Sequence, residues 1–237
     1  MGQRRWVVRS LWMAVIVLAL VGLAAIVRRT VVLLHPGLPN PSNPAAALDA
    51  HFADHLALTL AHILPAAIFM MLGPLQFVSG IRRKHPQIHR WSGRVFLLFS
   101  VIIGITGLTL SFGKTIGGWD EKSATILFGS FFLFALGKAL CYALRRQFAA
   151  HREWMIRGYA IGLAVATVRP IIGVFFAAAV IRGHLPQPSQ FFGAAFWIGF
   201  TFEAIAAEVW IHWTRASAPV RNLARASEII PMKTRPG

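Results

Sequence analysis

The chain has 237 residues, of which 56% are hydrophobic and only 14% are charged. Soluble globular domains carry about 25% charged residues, so this composition excludes an ordinary soluble domain and indicates a membrane protein. The net charge of +16 would suggest nucleic-acid binding in a soluble protein. Here the basic residues lie in short segments between apolar runs, so we expect the partners to be the lipid bilayer and its anionic headgroups, with no nucleic acid.

The first apolar run covers residues 10–27 and is flanked by arginines on both sides. It resembles the beginning of a signal peptide, but no A-x-A cleavage site precedes a polar mature start, and further apolar runs follow. We therefore predict an uncleaved first membrane span. The segment PGLPNPSNP at 36–44 predicts a loop, because clustered Pro, Asn and Ser interrupt regular structure.

Six membrane spans are predicted in total, because each apolar run is close to the length that a helix needs to cross a bilayer. The fold class is therefore all-α: a six-transmembrane helix bundle that forms one domain over 1–237. The predicted spans are about 10–27, 55–78, 91–112, 123–144, 154–181 and 191–213, with a basic tail at 214–237.

Two basic connectors separate the spans. Residues 82–94 (RRKHPQIHRWSGR) join the second and third spans, and residues 145–157 (RRQFAAHREWMIR) join the fourth and fifth. Each contains an Arg pair, then a His-Arg pair, then a Trp and another Arg, which predicts an internal repeat of two spans. Both connectors and both termini fall on one side. The positive-inside rule places that side in the cytoplasm, in a multi-pass protein of the bacterial inner membrane.

The connector histidines are the first candidate site. His89 and His151 take equivalent positions at the starts of two spans, and two facing imidazoles are typical axial ligands of haem iron. Nearby guanidinium groups match the forks of haem propionates or of another anion. Alternatively, these His-Arg pairs bind no ligand and only contact lipid phosphates at the membrane surface. The arginines concerned are Arg82, Arg90, Arg145 and Arg152.

Three ionisable residues within the spans form a second candidate. His62 lies one to two turns into the second span, whereas Arg169 and Glu203 lie near the middle of the fifth and sixth. Because isolated charges are costly in hydrocarbon, we expect Arg169 and Glu203 to pair. The three residues predict a polar pocket for a quinone-like or proton-linked ligand, or alternatively a purely structural ion pair.

A third and weaker candidate is a metal site at His51, Asp54 and His55. At helical spacing these side chains would share one face, which suits a divalent metal. The alternative is a polar entry into the second span.

The chain resembles a known family in the motifs that it combines. These are His62, the GPLQF of 73–77, the HRWSGR of 89–94, the HREWMIR of 151–157, and Arg169. Over about residues 55–212 it resembles the uncharacterised bacterial membrane proteins catalogued as domain of unknown function 2306. That resemblance implies a multi-span inner-membrane protein and no established activity. In histidine spacing alone there is a looser similarity to transmembrane b-type cytochromes, although the fourth and sixth spans lack the central histidines of a second haem.

The leading functional hypothesis from the sequence is a membrane redox or cofactor-binding protein. It would hold haem b between His89 and His151 and would exchange electrons or protons with quinone or a respiratory complex. Two alternatives stay open: a carrier of small anions that uses Arg169, and an assembly or scaffold protein without chemistry. A carrier predicts a polar cavity around Arg169, whereas a scaffold predicts a fully paired Arg169 in a dry core. Whether the protein is an enzyme is undecided by these residues.

Overall fold

The computed structural model describes residues 2–35, 46–113, 115–183 and 187–229, and for 46–48 and 217–229 it describes the backbone only. The loop predicted at 36–44 and the end of the predicted basic tail lie outside the described residues. Within the described ranges the chain forms α-helices and no strand. The helices are α1 (Gly2–Leu34), α2 (Ala46–Ala53), α3 (Leu56–Phe77), α4 (Ser79–Lys84), α5 (Pro86–Phe112), α6 (Gly118–Leu144), α7 (Phe148–Ile181) and α8 (Phe192–Ile229).

Six of these helices are long and apolar enough to cross a membrane: α1, α3, α5, α6, α7 and the Phe192–Ala216 part of α8. This confirms the predicted all-helical class with six membrane-spanning helices. Large apolar side chains such as Val17, Leu98 and Val209 remain exposed along their outer faces. That exposure is expected where the surroundings are lipid chains instead of water.

Several helices extend beyond the apolar runs into their basic flanks. Helix α5 begins at Pro86, where a missing N–H costs nothing because the first turn has no partner for it. Helix α7 begins at Phe148, after a tight turn in which Arg146 has a left-handed φ of 56°. His89 and His151 consequently lie in the first turns of helices. The predicted repeat stays a prediction, and the two connectors differ in that only the first contains a short helix, α4.

The helices form one bundle with two distinct ends. Helix α3 packs against α1 and α5, and α7 packs against α1, α6 and α8. We call one end the connector face, where α4 and the starts of α5 and α7 lie. The other end is the α2 face, where α2 lies beside the end of α1 and the start of α3.

An aromatic cluster fills the bundle midway between these ends. The rings of Phe69 and Phe96 stack with centroids 4.9 Å apart, and Tyr159 lies 5.4 Å from Phe69. Two glycines make room for these rings. A Cβ atom on Gly73 would overlap the Tyr159 ring, and one on Gly162 would overlap Phe69.

Candidate ligand-binding cavity

A cavity of about 490 Å³ lies between the aromatic cluster and the α2 face. Its volume falls in the range of small-molecule sites, about 300–1,000 Å³. Six membrane-spanning helices contribute to its wall, and α2 contributes at the mouth. The wall contains many apolar and aromatic side chains. Its charged and titratable members are Arg28, Arg29, His51, His55, His62, Glu121 and Arg169.

Small residues leave this space open. Gly22, Gly104, Gly107, Gly129 and Gly162 all line the cavity, one or two on each of four helices. Helices that present glycine at a shared face leave volume that larger side chains would fill. The imidazole of His62 packs against Gly107. A Cβ atom on Gly107 would lie 3.1 Å from Cε1 of His62.

Arg169 places a guanidinium in this wall without a carboxylate partner. One of its N–H groups donates to the Val165 carbonyl of its own helix. Among the described residues, no carboxylate lies within ion-pair distance of it. A guanidinium has five N–H donors, so one carbonyl leaves it far from satisfied. The cavity therefore contains a guanidinium that has no ion-pair partner among the described residues, while the carboxylate of Glu121 lies elsewhere in the same lining.

His62 adds a hydrogen-bond acceptor to the same space. Its Nδ1 lies 3.0 Å from the Thr106 hydroxyl, which itself donates to the Ile102 carbonyl at 2.7 Å. The hydroxyl proton is thus committed, so Nδ1–H of His62 is the donor and its Nε2 is left as an acceptor. The imidazole and the Arg169 guanidinium are within electrostatic reach of each other.

Helix α2 is held over the mouth of the cavity by two arginines. Arg28 binds Asp49 through both terminal nitrogens at 3.1 and 3.0 Å, and Arg29 binds the same carboxylate. Arg29 also lies 4.3 Å from the centre of the Phe52 ring. Two guanidinium groups therefore share one carboxylate at this point of the mouth. Burial lowers the pKa of His51, so this imidazole adds further positive charge only as the pH falls.

Replacing Asp49 by asparagine is expected to release α2. Arg29 is only 17% exposed in its side chain, so losing its partner leaves a largely buried charge. We expect the bound position of α2 to lose about 1–2 kcal/mol of stability. The equilibrium then shifts roughly 5- to 30-fold toward released α2. Hydrogen–deuterium exchange of the α2 amides would then accelerate by that factor.

Asp54→Asn is the matched control for this change, because Asp54 is exposed and has no ion-pair partner among the described residues. Equal acceleration in both variants would show that the Asp49 pair does not hold α2.

The three residues of the predicted polar pocket are not all brought together. His62 and Arg169 line the cavity, but Glu203 is not among the described lining residues. Glu203 instead accepts a hydrogen bond of 2.6 Å from Thr167, so the expected Arg169–Glu203 pair does not form. The reason is helical geometry: two residues along α7 turn the side-chain direction by about 200°, so Thr167 meets α8 while Arg169 faces the cavity.

The other acidic residue of α8 near this level has its own partner. Glu208 accepts two hydrogen bonds from Arg157, at 2.5 and 2.9 Å. Closer to the connector face, Arg215 of α8 pairs with Glu153 of α7. These pairs fasten α7 to α8, and neither acid pairs with Arg169.

The metal site at His51, Asp54 and His55 stays a prediction, and the arrangement of these residues does not support it. Among the described residues, no three His, Cys, Asp or Glu side chains form a group that could hold a metal ion. Helix α2 ends at Ala53 and α3 begins at Leu56, so the chain turns at Asp54 and His55. The three side chains therefore do not share one helical face. His51 and His55 lie at the cavity mouth instead.

His89 and His151 lie near the connector face, away from the lining of the cavity. Nδ1 of His151 lies 2.8 Å from the Ala139 carbonyl, so its Nδ1–H is the donor. Nδ1 of His89 is buried and has no hydrogen-bond partner within the described part of the chain. His89 is within electrostatic reach of both His151 and Arg82.

The arginines predicted to accompany these histidines are mostly exposed. Arg82, Arg90 and Arg145 lie at the surface of the connector face, and Arg152 is half-buried. Arg90 donates to the Pro86 carbonyl at 3.3 Å.

Sequence reasoning missed the residues of the cavity mouth. Arg28 and Arg29 follow an apolar run and therefore indicate topology before they indicate a site. Glu121, which accepts the Gly117 N–H at 2.7 Å, lies in a short charged loop segment in the sequence. The available signal was the presence of two acids, Asp49 and Asp54, across the long loop from the Arg28-Arg29 pair.

The fold and this cavity together define a multi-pass helical membrane protein with a ligand-sized, largely apolar space inside the bundle that also contains charged groups. The chain belongs to a family of predicted membrane proteins, domain of unknown function 2306, whose family model matches residues 59–211. That range contains α4, α5, α6, α7, nearly all of α3 and most of the membrane-spanning part of α8, but not α1 or α2. Comparison with curated proteins and with solved structures gave no match.

Proposed function

We propose that this protein binds a small amphipathic anion in the cavity and carries it across the membrane. The observation that supports this proposal is the guanidinium of Arg169, which lines the cavity and has no carboxylate partner among the described residues. An unpaired charge inside a membrane protein is costly and is retained where it has a function. A bound carboxylate or phosphate would neutralise it through charge-assisted hydrogen bonds.

The rest of the lining favours an anion with an apolar body. Phe69, Phe132, Phe196 and Phe200 surround the space in which the part of the ligand beyond its charged group would lie. The acceptor Nε2 of His62 would bind a hydroxyl or a protonated group on the ligand. A strongly hydrated inorganic ion would gain little from such walls, because they offer few polar partners.

The charge distribution supports a direction of entry. The positive-inside rule places the arginine-rich connector face in the cytoplasm of the inner membrane, so the α2 face would lie outside. The Arg28–Arg29 pair at the mouth would then attract anions from that side.

A matched pair of probes tests this function. In protein reconstituted into nanodiscs, phenylbutyrate is expected to raise the thermal unfolding temperature, whereas phenylbutanol, with the same body and no charge, is not. Saturation at 100 times the Kd corresponds to about 2.7 kcal/mol. Proteoliposomes should also take up labelled phenylbutyrate faster than empty vesicles.

Equal stabilisation by both probes would favour a neutral, quinone-like ligand over an anion. No stabilisation by either probe, together with no uptake, would contradict the proposal.

A second candidate function is the redox activity expected from the connector histidines, and it concerns a separate part of the bundle. It is supported by the His151 Nδ1–H donation to Ala139, since metal-bound histidines usually donate their second nitrogen to a carbonyl. His151 would then offer Nε2 to haem iron, and His89 would be a second ligand. Bound haem would supply one-electron transfer, and Arg82 and Arg145 would pair with its propionates.

The absorption spectrum of protein expressed with ample haem tests this second function. A Soret band that sharpens on dithionite reduction, and that is lost in the His89→Ala/His151→Ala double variant, is the expected result. A colourless protein would contradict it without affecting the anion cavity.

A further inference from the structure

Glu203 is a buried acid whose recorded hydrogen-bond partner is one hydroxyl. The residue is 7% exposed, and its carboxyl accepts a 2.6 Å hydrogen bond from Thr167. Within the described part of the chain, no Arg, Lys or His forms an ion pair with it. An ionised carboxylate in such surroundings would lack most of the donors that water supplies, at a cost of several kcal/mol. A proton on the carboxyl removes that cost.

A second buried polar group lies close to this carboxyl. Tyr159 is 5% exposed, and its hydroxyl has no hydrogen-bond partner among the described residues. It lies two helical turns from Thr167 on α7 and is within electrostatic reach of Glu203. A buried hydroxyl without a hydrogen-bond partner is unusual, because buried polar groups are normally paired.

Glu203 lies next to residues that line the cavity. Phe200, three residues earlier on α8, lines the cavity, as does Val168 beside Thr167. A negative charge on Glu203 would therefore repel an anion in the cavity across a low-dielectric layer. A protonated Glu203 would not.

Other titratable groups on the neighbouring helices are already accounted for. On α7, Arg157 is bound to Glu208, and Arg169 lies in the cavity wall. On α6, Lys138 lies over the rings of Tyr142 and Trp154. Glu121 of α6 lines the cavity itself and accepts the N–H of Gly117 at 2.7 Å. Glu203 has no charged partner among the described residues, so its charge state can respond to the cavity.

We propose that Glu203 is a proton-binding site coupled to the anion cavity, so that the protein binds a proton and an anion together. This inference rests on the proposed function. A proton from water adds to a carboxylate oxygen of Glu203 and returns to water when the anion leaves. The coupling is reciprocal: protonation favours anion binding, and a bound anion favours protonation.

Infrared spectroscopy and binding measurements on the full-length protein in nanodiscs test the inference. At neutral pH we expect a C=O stretch of a protonated carboxyl that disappears in Glu203→Gln. Glu208→Gln, on the same helix but ion-paired, is expected to keep the band. Thr167→Val is expected to keep it at a shifted frequency, which covers the case in which Glu203→Gln fails to fold.

The affinity for phenylbutyrate is then measured from about pH 6 to 9, where the probe itself stays ionised. Above the titration of Glu203, the wild-type affinity should fall by up to tenfold per pH unit, because one proton is linked to binding. Glu203→Gln should bind with a nearly constant affinity.

The possible failures are distinguishable. A wild-type spectrum without the band, or with the band lost equally in Glu208→Gln, overturns the proton site even if phenylbutyrate binds. A band with pH-independent binding overturns the coupling alone. A band with no binding in any variant overturns the anion function and the coupling with it.

Discussion

Arg169→Gln is expected to abolish binding of phenylbutyrate. The change removes the cavity cation while keeping a side chain of similar reach that can donate a hydrogen bond. Losing one partner of a buried, hydrogen-bonded charge pair costs about 2–5 kcal/mol, which corresponds to an affinity loss of at least about 30-fold. Thermal stabilisation by the probe in nanodiscs measures the loss directly.

The same substitution should make the ligand-free protein more stable. Arg169 donates to its own helix and has no carboxylate within ion-pair distance in the described residues, so its removal relieves an uncompensated charge. Arg157→Gln is the matched control, because Arg157 lies on the same helix and is paired with Glu208. That variant should bind the probe normally and lose stability. Normal binding by Arg169→Gln would refute the anion role of this residue.

Gly73→Ala is expected to destabilise the folded protein, in contrast to Gly137→Ala. The new Cβ atom would overlap the Tyr159 ring, which is fixed by contacts with Phe69, Phe77 and Phe96. Overpacking of a filled core costs about 1–3 kcal/mol. The measurement is the midpoint of thermal unfolding in detergent, with size-exclusion chromatography to detect aggregated protein.

Gly137→Ala is the control for this prediction. Gly137 lies inside α6, and no atom lies within 4 Å of the position that its Cβ would take. Alanine should therefore stabilise this helix slightly through its higher helix propensity. Similar unfolding midpoints for both variants would mean that the aromatic cluster is loosely packed and that Gly73 is not needed for it.

Much of the fold follows from hydropathy alone. Apolar runs of membrane-crossing length predict helices, and the basic flanks predict where the chain turns. The depth of His62 and Arg169 within their helices follows from the same count. What hydropathy does not contain is direction around the helix axis, because the spans are apolar on nearly every side.

That missing direction explains which parts of the site were not predicted. Arg169 and Thr167 are two positions apart, and only the packing of α7 against α8 decides which of them meets Glu203. The cavity also depends on missing side chains, because glycines of different helices meet at one level of the bundle. The break between α2 and α3 at Asp54 and His55 has no glycine or proline to mark it. The sequence therefore predicts helical spacing at the point where the chain turns.

The uncompensated guanidinium of Arg169 also has a consequence for the lifetime of the protein in the cell. If ligand binding supplies the missing countercharge, the loaded protein is more stable than the empty one by the free energy of binding. A difference of 1–2 kcal/mol changes the steady-state abundance of a protein several-fold, because quality-control proteases remove molecules that open transiently. The amount of this protein in the membrane would then follow the supply of its own ligand, without any change in transcription.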